Sequence, residues 1–141
     1  MAKQLSVFIE NKEGMLKKVL NVLKVNDVNI LSLSLADTTE YGLLRLIVNK
    51  PEIAREKLID AGFSSMIAEV IIVKVQHKAG SLQSILELLA DEKVNIEYTY
   101  VLTTDGIDAS IVIKTNDLKK VREIAVANGI ETVTDEEISK H

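Results

Sequence analysis

The sequence predicts an α+β fold built from two βαββαβ modules in tandem. Apolar residues alternate with polar ones in segments of strand length, and they recur every three or four residues in segments of helix length. The same order of elements occurs twice along the chain. Each module would close into a four-stranded antiparallel sheet with both helices on one face, which is the ferredoxin-like arrangement. We therefore expect two such modules, at residues 1–69 and 70–141.

The repeat becomes visible when each residue i is set against residue i+66. Nine of the 28 pairs between 3–30 and 69–96 are identical. They include the glycine that precedes the first apolar helix and a Val-Asn-Ile triplet that precedes the next strand. Chance similarity between amphipathic segments would rarely keep both features in step, so we infer a duplication. Beyond this stretch small shifts are needed, and Gly42 is then matched with Gly106.

Each element of the first module has its own signal. Leu5, Val7 and Ile9 alternate with polar residues, which predicts a strand. Pro51 suits the first turn of a helix and Gly62 suits the residue after its end. The predicted strands and helices of the first module are 5–9, 16–23, 28–36, 43–49, 51–61 and 66–69, and those of the second are 70–76, 81–92, 95–103, 107–115, 118–128 and 130–134.

The junction between the modules contains no linker. Residues 66–76 lack Gly, Pro and Ser, so we expect the last strand of the first module to run directly into the first strand of the second. The third strand carries apolar side chains on both faces, with Leu43 and Ile47 opposite Leu44, Leu46 and Val48. That pattern predicts that the sheet face without helices is also covered, by another module or another chain.

Composition excludes several classes of function. The 141 residues contain no cysteine, which rules out disulfides, thiolate nucleophiles and zinc–thiolate sites. A formal net charge of −4 argues against nucleic acid, and an RNA-binding sheet would need basic strands with exposed aromatics. There is no signal-peptide pattern and no apolar run of about 20 residues. We expect a cytoplasmic protein that contacts neither membrane nor nucleic acid.

The corners between the first strand and first helix of each module, residues 11–16 and 77–82, are the candidate binding sites. A glycine there lets backbone approach a ligand, and the first N–H groups of a helix attract a carboxylate. Asn11 or His77 could hold a ligand's amine or carboxylate, with Asn29 and Asn95 placed to help. The alternatives are that the glycines serve only the turn and that Asn29 and Asn95 cap turns.

Each module contains a polar residue three positions before a glycine, then an apolar helix, then Val-Asn-Ile. This pattern resembles the ACT domain, and it occurs twice. The family often has Pro before that glycine, where this chain has Glu13 and Ala79. The resemblance implies that a free amino acid binds at an interface between modules. The implied binding residues are Asn11, Lys12, Glu13, Gly14, Met15, Leu16, Asn29, Ile30, His77, Lys78, Ala79, Gly80, Ser81, Leu82, Asn95 and Ile96.

A regulatory or sensor protein is therefore expected, and not an enzyme. No metal-ligand spacing or Gly-x-Ser-x-Gly nucleophile motif occurs, and no cofactor is expected. The resemblance also implies a homo-dimer or higher homo-oligomer. The second hypothesis is a regulatory subunit of an amino-acid biosynthetic enzyme, because residues 5–11 are similar to the start of acetolactate synthase small subunits. Tyr98 and Tyr100 would share one strand face, lining the second pocket or packing on the sheet.

Overall fold

The computed structural model of the chain describes residues 1–37, 40–76, 78–102 and 109–141, without the side chain of Asp37. The predicted turn around Asp105 and Gly106 lies outside these residues. The elements in chain order are β1 (Ala2–Glu10), α1 (Met15–Val25), β2 (Ile30–Asp37), β3 (Tyr41–Val48), α2 (Pro51–Asp60), β4 (Ser64–Val75), α3 (Ser81–Asp91), β5 (Ile96–Leu102), β6 (Ala109–Thr115), α4 (Leu118–Ala127) and α5 (Asp135–Ser139).

The chain divides into two compact units. The N-terminal unit comprises Lys3–Ala68 with Glu136–His141, and the C-terminal unit comprises Glu69–Asp135 with Met1–Ala2. Neighbouring strands follow the order β2-β3-β1-β4 in the first unit and β4-β6-β5 in the second. The predicted α+β fold of two ferredoxin-like modules is confirmed, and β4 is the continuous strand expected across residues 66–76.

In the N-terminal unit, one sheet face and both helices form a single apolar core. The alternating residues Leu5, Val7 and Ile9 of β1 all point to this core. Burying a side chain of this size contributes about 1.5–3 kcal/mol, so this face determines how the helices pack. The other buried members come from β3, α1, α2 and the loop between α1 and β2: Leu44, Leu46, Val48, Val19, Leu23, Ala54, Leu58 and Val28.

The opposite face of this sheet is covered unevenly. Ile47 is fully buried there, whereas Phe8 is 46% exposed. Phe8 pairs with Leu43, and Ser6 pairs with Arg45, so a polar pair lies beside an apolar one. The apolar residues on both faces of β3 therefore mark a core face and a second face that is only partly buried.

The C-terminal unit repeats the core but not the last strand. Ile71 and Val73 of β4, Leu89 of α3 and Val121 of α4 belong to one buried cluster. The strand predicted at 130–134 is wrong, because only an isolated bridge between Val73 and Thr132 forms there. The acidic residues Asp135, Glu136 and Glu137 begin α5, whose Ile138 is buried. That buried apolar side chain supplies the reason for the helix.

Strand register corrects one detail of the repeat. Ile9 pairs with Gly42, and its counterpart Val75 pairs with Ala109. Ala109, not Gly106, is therefore the structural counterpart of Gly42. The offset between the modules is 66 residues for Leu35 and Val101 but 67 residues for Gly42 and Ala109, which a fixed offset along the sequence cannot follow.

An ion pair joins β1 to the start of α2 and makes stability depend on pH. Lys3 Nζ donates a hydrogen bond to Glu52 Oε1, which lowers the pKa of the Glu52 carboxyl, with help from the backbone N–H of Glu52. A lowered folded-state pKa means that the contribution is present above the unfolded-state pKa and is lost as pH falls through the folded-state pKa. Lys3→Met should therefore raise the Glu52 pKa in an NMR titration. In wild type, added salt should shrink the shift, since both side chains are well exposed.

The two valines of α4 test whether burial or helix propensity controls stability. Val121 is 2% exposed and Val126 is 75% exposed. Val121→Ala should cost about 2 kcal/mol of unfolding free energy, since two buried methyl groups are lost and a cavity remains. Val126→Ala should change stability by at most about 0.5 kcal/mol, in the stabilising direction, because alanine favours helix. Urea unfolding measures both, and equal losses would contradict the assigned packing of α4.

Candidate functional site

The two corners between strand and helix have the same backbone structure. We call Asn11–Leu16 the N-terminal corner and Lys78–Leu82 the C-terminal corner; His77 lies outside the described residues. Lys12 N–H donates to Glu10 O at 2.9 Å, and Lys78 N–H donates to Gln76 O at 2.9 Å. The next two bonds also recur, from Met15 and Ser81 to the corner lysines and from Lys18 and Ser84 to the corner glycines. The duplicated sequence thus folds into duplicated geometry.

A left-handed glycine precedes each helix. Gly14 has φ 81° and ψ −6°, and Gly80 has φ 83° and ψ −8°. A Cβ atom placed on either glycine would meet nothing within 4 Å. Backbone conformation alone therefore explains why glycine is required, as the turn-only alternative predicted, and close approach of a ligand is not needed to explain it.

The helix starts are nevertheless suited to an anionic group. No N-cap side chain accepts a hydrogen bond from the first N–H groups of α1 or α3, because the N-cap is glycine in both, and neither helix has an acidic residue in its first turn. The first N–H groups of a helix have no partner within the helix, and the helix dipole is positive at this end. A carboxylate brought to either corner would meet oriented donors.

An apolar groove lies beside the C-terminal corner. It has a volume of about 460 Å³, within the range of small-molecule sites. Lys78 and Ala79 supply its backbone wall, and Leu82, Val101 and Ile111 supply an apolar wall. Leu82 is 44% and Val101 57% exposed, so large apolar surface is open to a ligand or partner. Val101 and Ile111 were absent from the predicted site, because their position depends on the β5–β6 register.

The corresponding place beside the N-terminal corner has larger side chains. Leu35 pairs with Leu44, as Val101 pairs with Ile111, so Leu35 is the counterpart of Val101. A Cβ on Gly42 would lie 3.3 Å from Leu35 Cδ1 and 3.1 Å from Ile9 Cγ1. Leu35 is larger than its counterpart Val101, and its side-chain atoms lie close to Gly42.

The asparagines and isoleucines of the Val-Asn-Ile triplets lie away from the corners. Ile30 pairs with Val48, at the end of β2 opposite to the Asp37–Gly42 pair that adjoins the N-terminal corner. Asn29 N–H donates to Asn49 Oδ1 at 2.9 Å, and the side-chain amide of Asn29 donates to His141 O at 3.2 Å, so its side chain bonds to the C-terminal residue and not within the turn. In the C-terminal unit, Asn95 is exposed and Ile96 pairs with Thr115 at the equivalent end. Asn29, Ile30, Asn95 and Ile96 are therefore not brought together with the corner residues.

The other residues predicted to bind the ligand lie in the core, on a sheet face or exposed to solvent. Met15 packs against the N-terminal core, while Asn11, Lys12 and Glu13 are exposed. Tyr98 pairs with Lys114 and Tyr100 with Val112, on the face opposite Val101. Their rings stack with centroids 6.4 Å apart. The tyrosines therefore form a packed pair on the sheet and do not line the groove.

The described part of the chain shows neither a metal-binding cluster nor a membrane-spanning helix. Among the described residues, no group of three or more His, Asp or Glu side chains is placed to hold a metal ion. In the same part of the chain no helix has the length and apolar character needed to cross a membrane.

Comparison with known proteins identifies relatives of the whole chain. The family described as ACT domain pair matches residues 1–141. The crystal structure of protein BT0572 from Bacteroides thetaiotaomicron is 32% identical, with a TM-score of 0.93, over 99% of this chain and 96% of that one. The ligand-free regulatory subunit of aspartate kinase from Thermus thermophilus is 16% identical, with a TM-score of 0.64, over 89% of this chain and 91% of that one. The similarity to the aspartate kinase subunit shows only that the two chains share a fold. No curated protein matches significantly.

Substitution of Gly80 tests the left-handed corner. Gly80→Ala should cost about 1–2 kcal/mol, since alanine pays the steric penalty of positive φ and gains no contact that could offset it. Gly80→Asn should cost less, because asparagine tolerates this conformation better. Gly14→Ala should show a loss of similar size, measured by urea unfolding. If alanine is tolerated at both positions without loss, the assigned corner conformation is wrong.

Proposed function

The chain belongs to the family of ACT domain pairs, and from that membership we propose that it is a regulatory protein, not an enzyme, that senses a free amino acid in the cytoplasm. The observation that carries the proposal is the C-terminal corner. There an uncapped helix start adjoins an open apolar groove. Oriented backbone N–H donors beside an apolar wall match the carboxylate and the side chain of an amino acid with an apolar side chain.

Each part of such a ligand has a counterpart at this corner. The carboxylate would accept hydrogen bonds from backbone N–H groups of Gly80 and Leu82. The side chain would lie against Val101 and Ile111. The amine would face backbone carbonyl oxygens of the corner. Recognition would depend mostly on backbone, so selectivity among amino acids would come from the shape of the apolar wall.

We place the sensing role in the C-terminal corner first. The groove beside the C-terminal corner is open, whereas the side chains of Leu35 and Ile9 lie close to Gly42 beside the N-terminal corner. The exposed Leu82 and Val101 would be covered by a second copy of the chain, which would make the active form a homo-oligomer. Ligand binding would then shift the oligomer equilibrium to the extent that the ligand prefers one state.

A regulatory subunit of an amino-acid biosynthetic enzyme is the second candidate. A chain of closely similar extent and the same fold is a regulatory subunit of aspartate kinase in Thermus thermophilus. The similarity of residues 5–11 to acetolactate synthase small subunits points to the same class of partner. Pull-down of a biosynthetic enzyme whose activity changes on addition of this chain would favour this candidate over a free-standing sensor.

A thermal-shift series with the twenty L-amino acids tests the sensing role. A ligand at about 100 times its Kd should stabilise the folded state by about 2.7 kcal/mol. For a chain of this size that corresponds to a rise in Tm of roughly 5–10 °C. The D-enantiomer of the best ligand serves as the control, since it cannot satisfy the same carboxylate, amine and side-chain positions. No change in Tm with any amino acid at millimolar concentration would exclude the proposed sensor.

Exchange of the counterparts Val101 and Leu35 locates the site. Val101→Leu should weaken the best ligand by about tenfold, because the larger side chain enters the groove as Leu35 does in the other unit. Leu35→Val, the matched control in the N-terminal corner, should leave that affinity unchanged. Isothermal titration calorimetry measures both. Equal effects of the two variants would place the ligand elsewhere.

A further inference from the structure

We infer that Asn128 is a modification site, at which attack by the neighbouring backbone converts the side-chain amide into a carboxyl group. Asn128 is the C-cap of α4, Gly129 follows it, and both residues are exposed. It is the only asparagine of the chain that glycine follows. This inference concerns the covalent stability of the chain, so it goes beyond the proposed amino-acid sensing and does not depend on it.

The reaction needs only two adjacent residues and water. The backbone nitrogen of Gly129, after loss of its proton, attacks Cγ of Asn128; an N–Cγ bond forms, the Cγ–Nδ2 bond breaks and ammonia leaves. Water then opens the resulting succinimide ring at one of its two carbonyl groups, which leaves aspartate or isoaspartate at position 128. Glycine favours this attack because it has no Cβ to hinder closure of the ring.

The end of α1 has the same geometry but a different following residue. Asn26 caps α1 with φ −100° and ψ 12°, and Asn128 caps α4 with φ −108° and ψ 9°. The side-chain amide of each donates to the carbonyl oxygen four residues earlier, at 2.8 Å in both. The next residue is left-handed in both, with φ 57° at Asp27 and φ 67° at Gly129. Asn26 is therefore a natural control, in which the nucleophile belongs to a residue with a side chain.

The end of α4 must open before the ring can form. Ring closure brings Cβ of Asn128 and the nitrogen of Gly129 into an eclipsed arrangement, so ψ must rotate far from 9° and the side chain must leave Ile124 O. The Gly129 N–H donates to Val126 O at 3.4 Å, a longer bond than the 3.1 Å from Asp27 N–H at the end of α1. Helix ends open at free energies well below that of global unfolding. The reaction rate should therefore follow local opening at this helix end.

The product weakens the helix end at which it forms. A carboxylate cannot donate a hydrogen bond to Ile124 O, and it adds a negative charge where the helix dipole is already negative. Isoaspartate also lengthens the backbone by one methylene group, which displaces Ile130, whose N–H donates to Ala125 O at 2.9 Å. Conversion should thus loosen the connection between α4 and the bridge at Thr132, and hydrolysis with loss of ammonia makes the change irreversible.

Incubation of the folded full chain at mildly alkaline pH tests the site, with peptide mapping by mass spectrometry and enzymatic detection of isoaspartate. Asn128 should convert about tenfold faster than Asn26, a difference of about 1.4 kcal/mol in activation free energy. Exchange of the following residues provides matched variants. Gly129→Asp should slow conversion of Asn128 about tenfold, and Asp27→Gly should accelerate conversion of Asn26 by a similar factor.

Asp27→Gly separates chemical reactivity from loss of stability. Glycine relieves the positive φ at this position, so the variant should gain reactivity at Asn26 without a fall in Tm. Asn128→Asp reproduces one product and should lower the Tm by roughly 2–5 °C, because one hydrogen bond is lost. Equal rates at Asn128 and Asn26, conversion of Asn128 only in the urea-unfolded chain, or unchanged reactivity of Asn26 in Asp27→Gly would each overturn the inference.

Discussion

The positive φ of one glycine in each unit is the constraint from which the rest of the site follows. At Gly14 and Gly80 the chain leaves a strand and enters a helix within a few residues, through a conformation that costs other residues about 1–2 kcal/mol. This turn directs the helix back along the sheet, so that its apolar side meets the strand residues. The same turn leaves the first N–H groups of the helix without a side-chain cap. Fold and binding surface thus share one local cause.

Much of the fold follows from periodicity that is visible in the sequence. The alternation of Leu5, Val7 and Ile9 and the helical spacing from Leu16 to Leu23 both end in the N-terminal core. Periodicity did not reveal that the last strand shrinks to a bridge at Thr132, because whether an extended segment pairs depends on partners far along the chain. It also missed α5, whose five residues are too few to show a helical pattern and whose formation depends on the burial of Ile138.

The candidate site was predictable in part and for definable reasons. The glycine corners carry a local signal, so their geometry could be anticipated. The Val-Asn-Ile triplets are equally recurrent, yet they lie at the other end of the strands, which shows that a repeated motif can serve the fold alone. Val101 and Ile111 carry no motif. Only the register of β5 against β6 brings them to the groove, and register is a long-range property.

The bridge that replaces the last strand of the C-terminal unit makes this segment easier to open locally. Lys74 N–H donates to Glu131 O and Val133 N–H donates to Ile72 O, which fastens this segment at two points, where a regular strand would form a continuous ladder. Segments with few ladder bonds open locally at a free energy well below that of global unfolding. Residues 129–131 should therefore exchange their amide hydrogens sooner than β4 and β6, while the core stays folded.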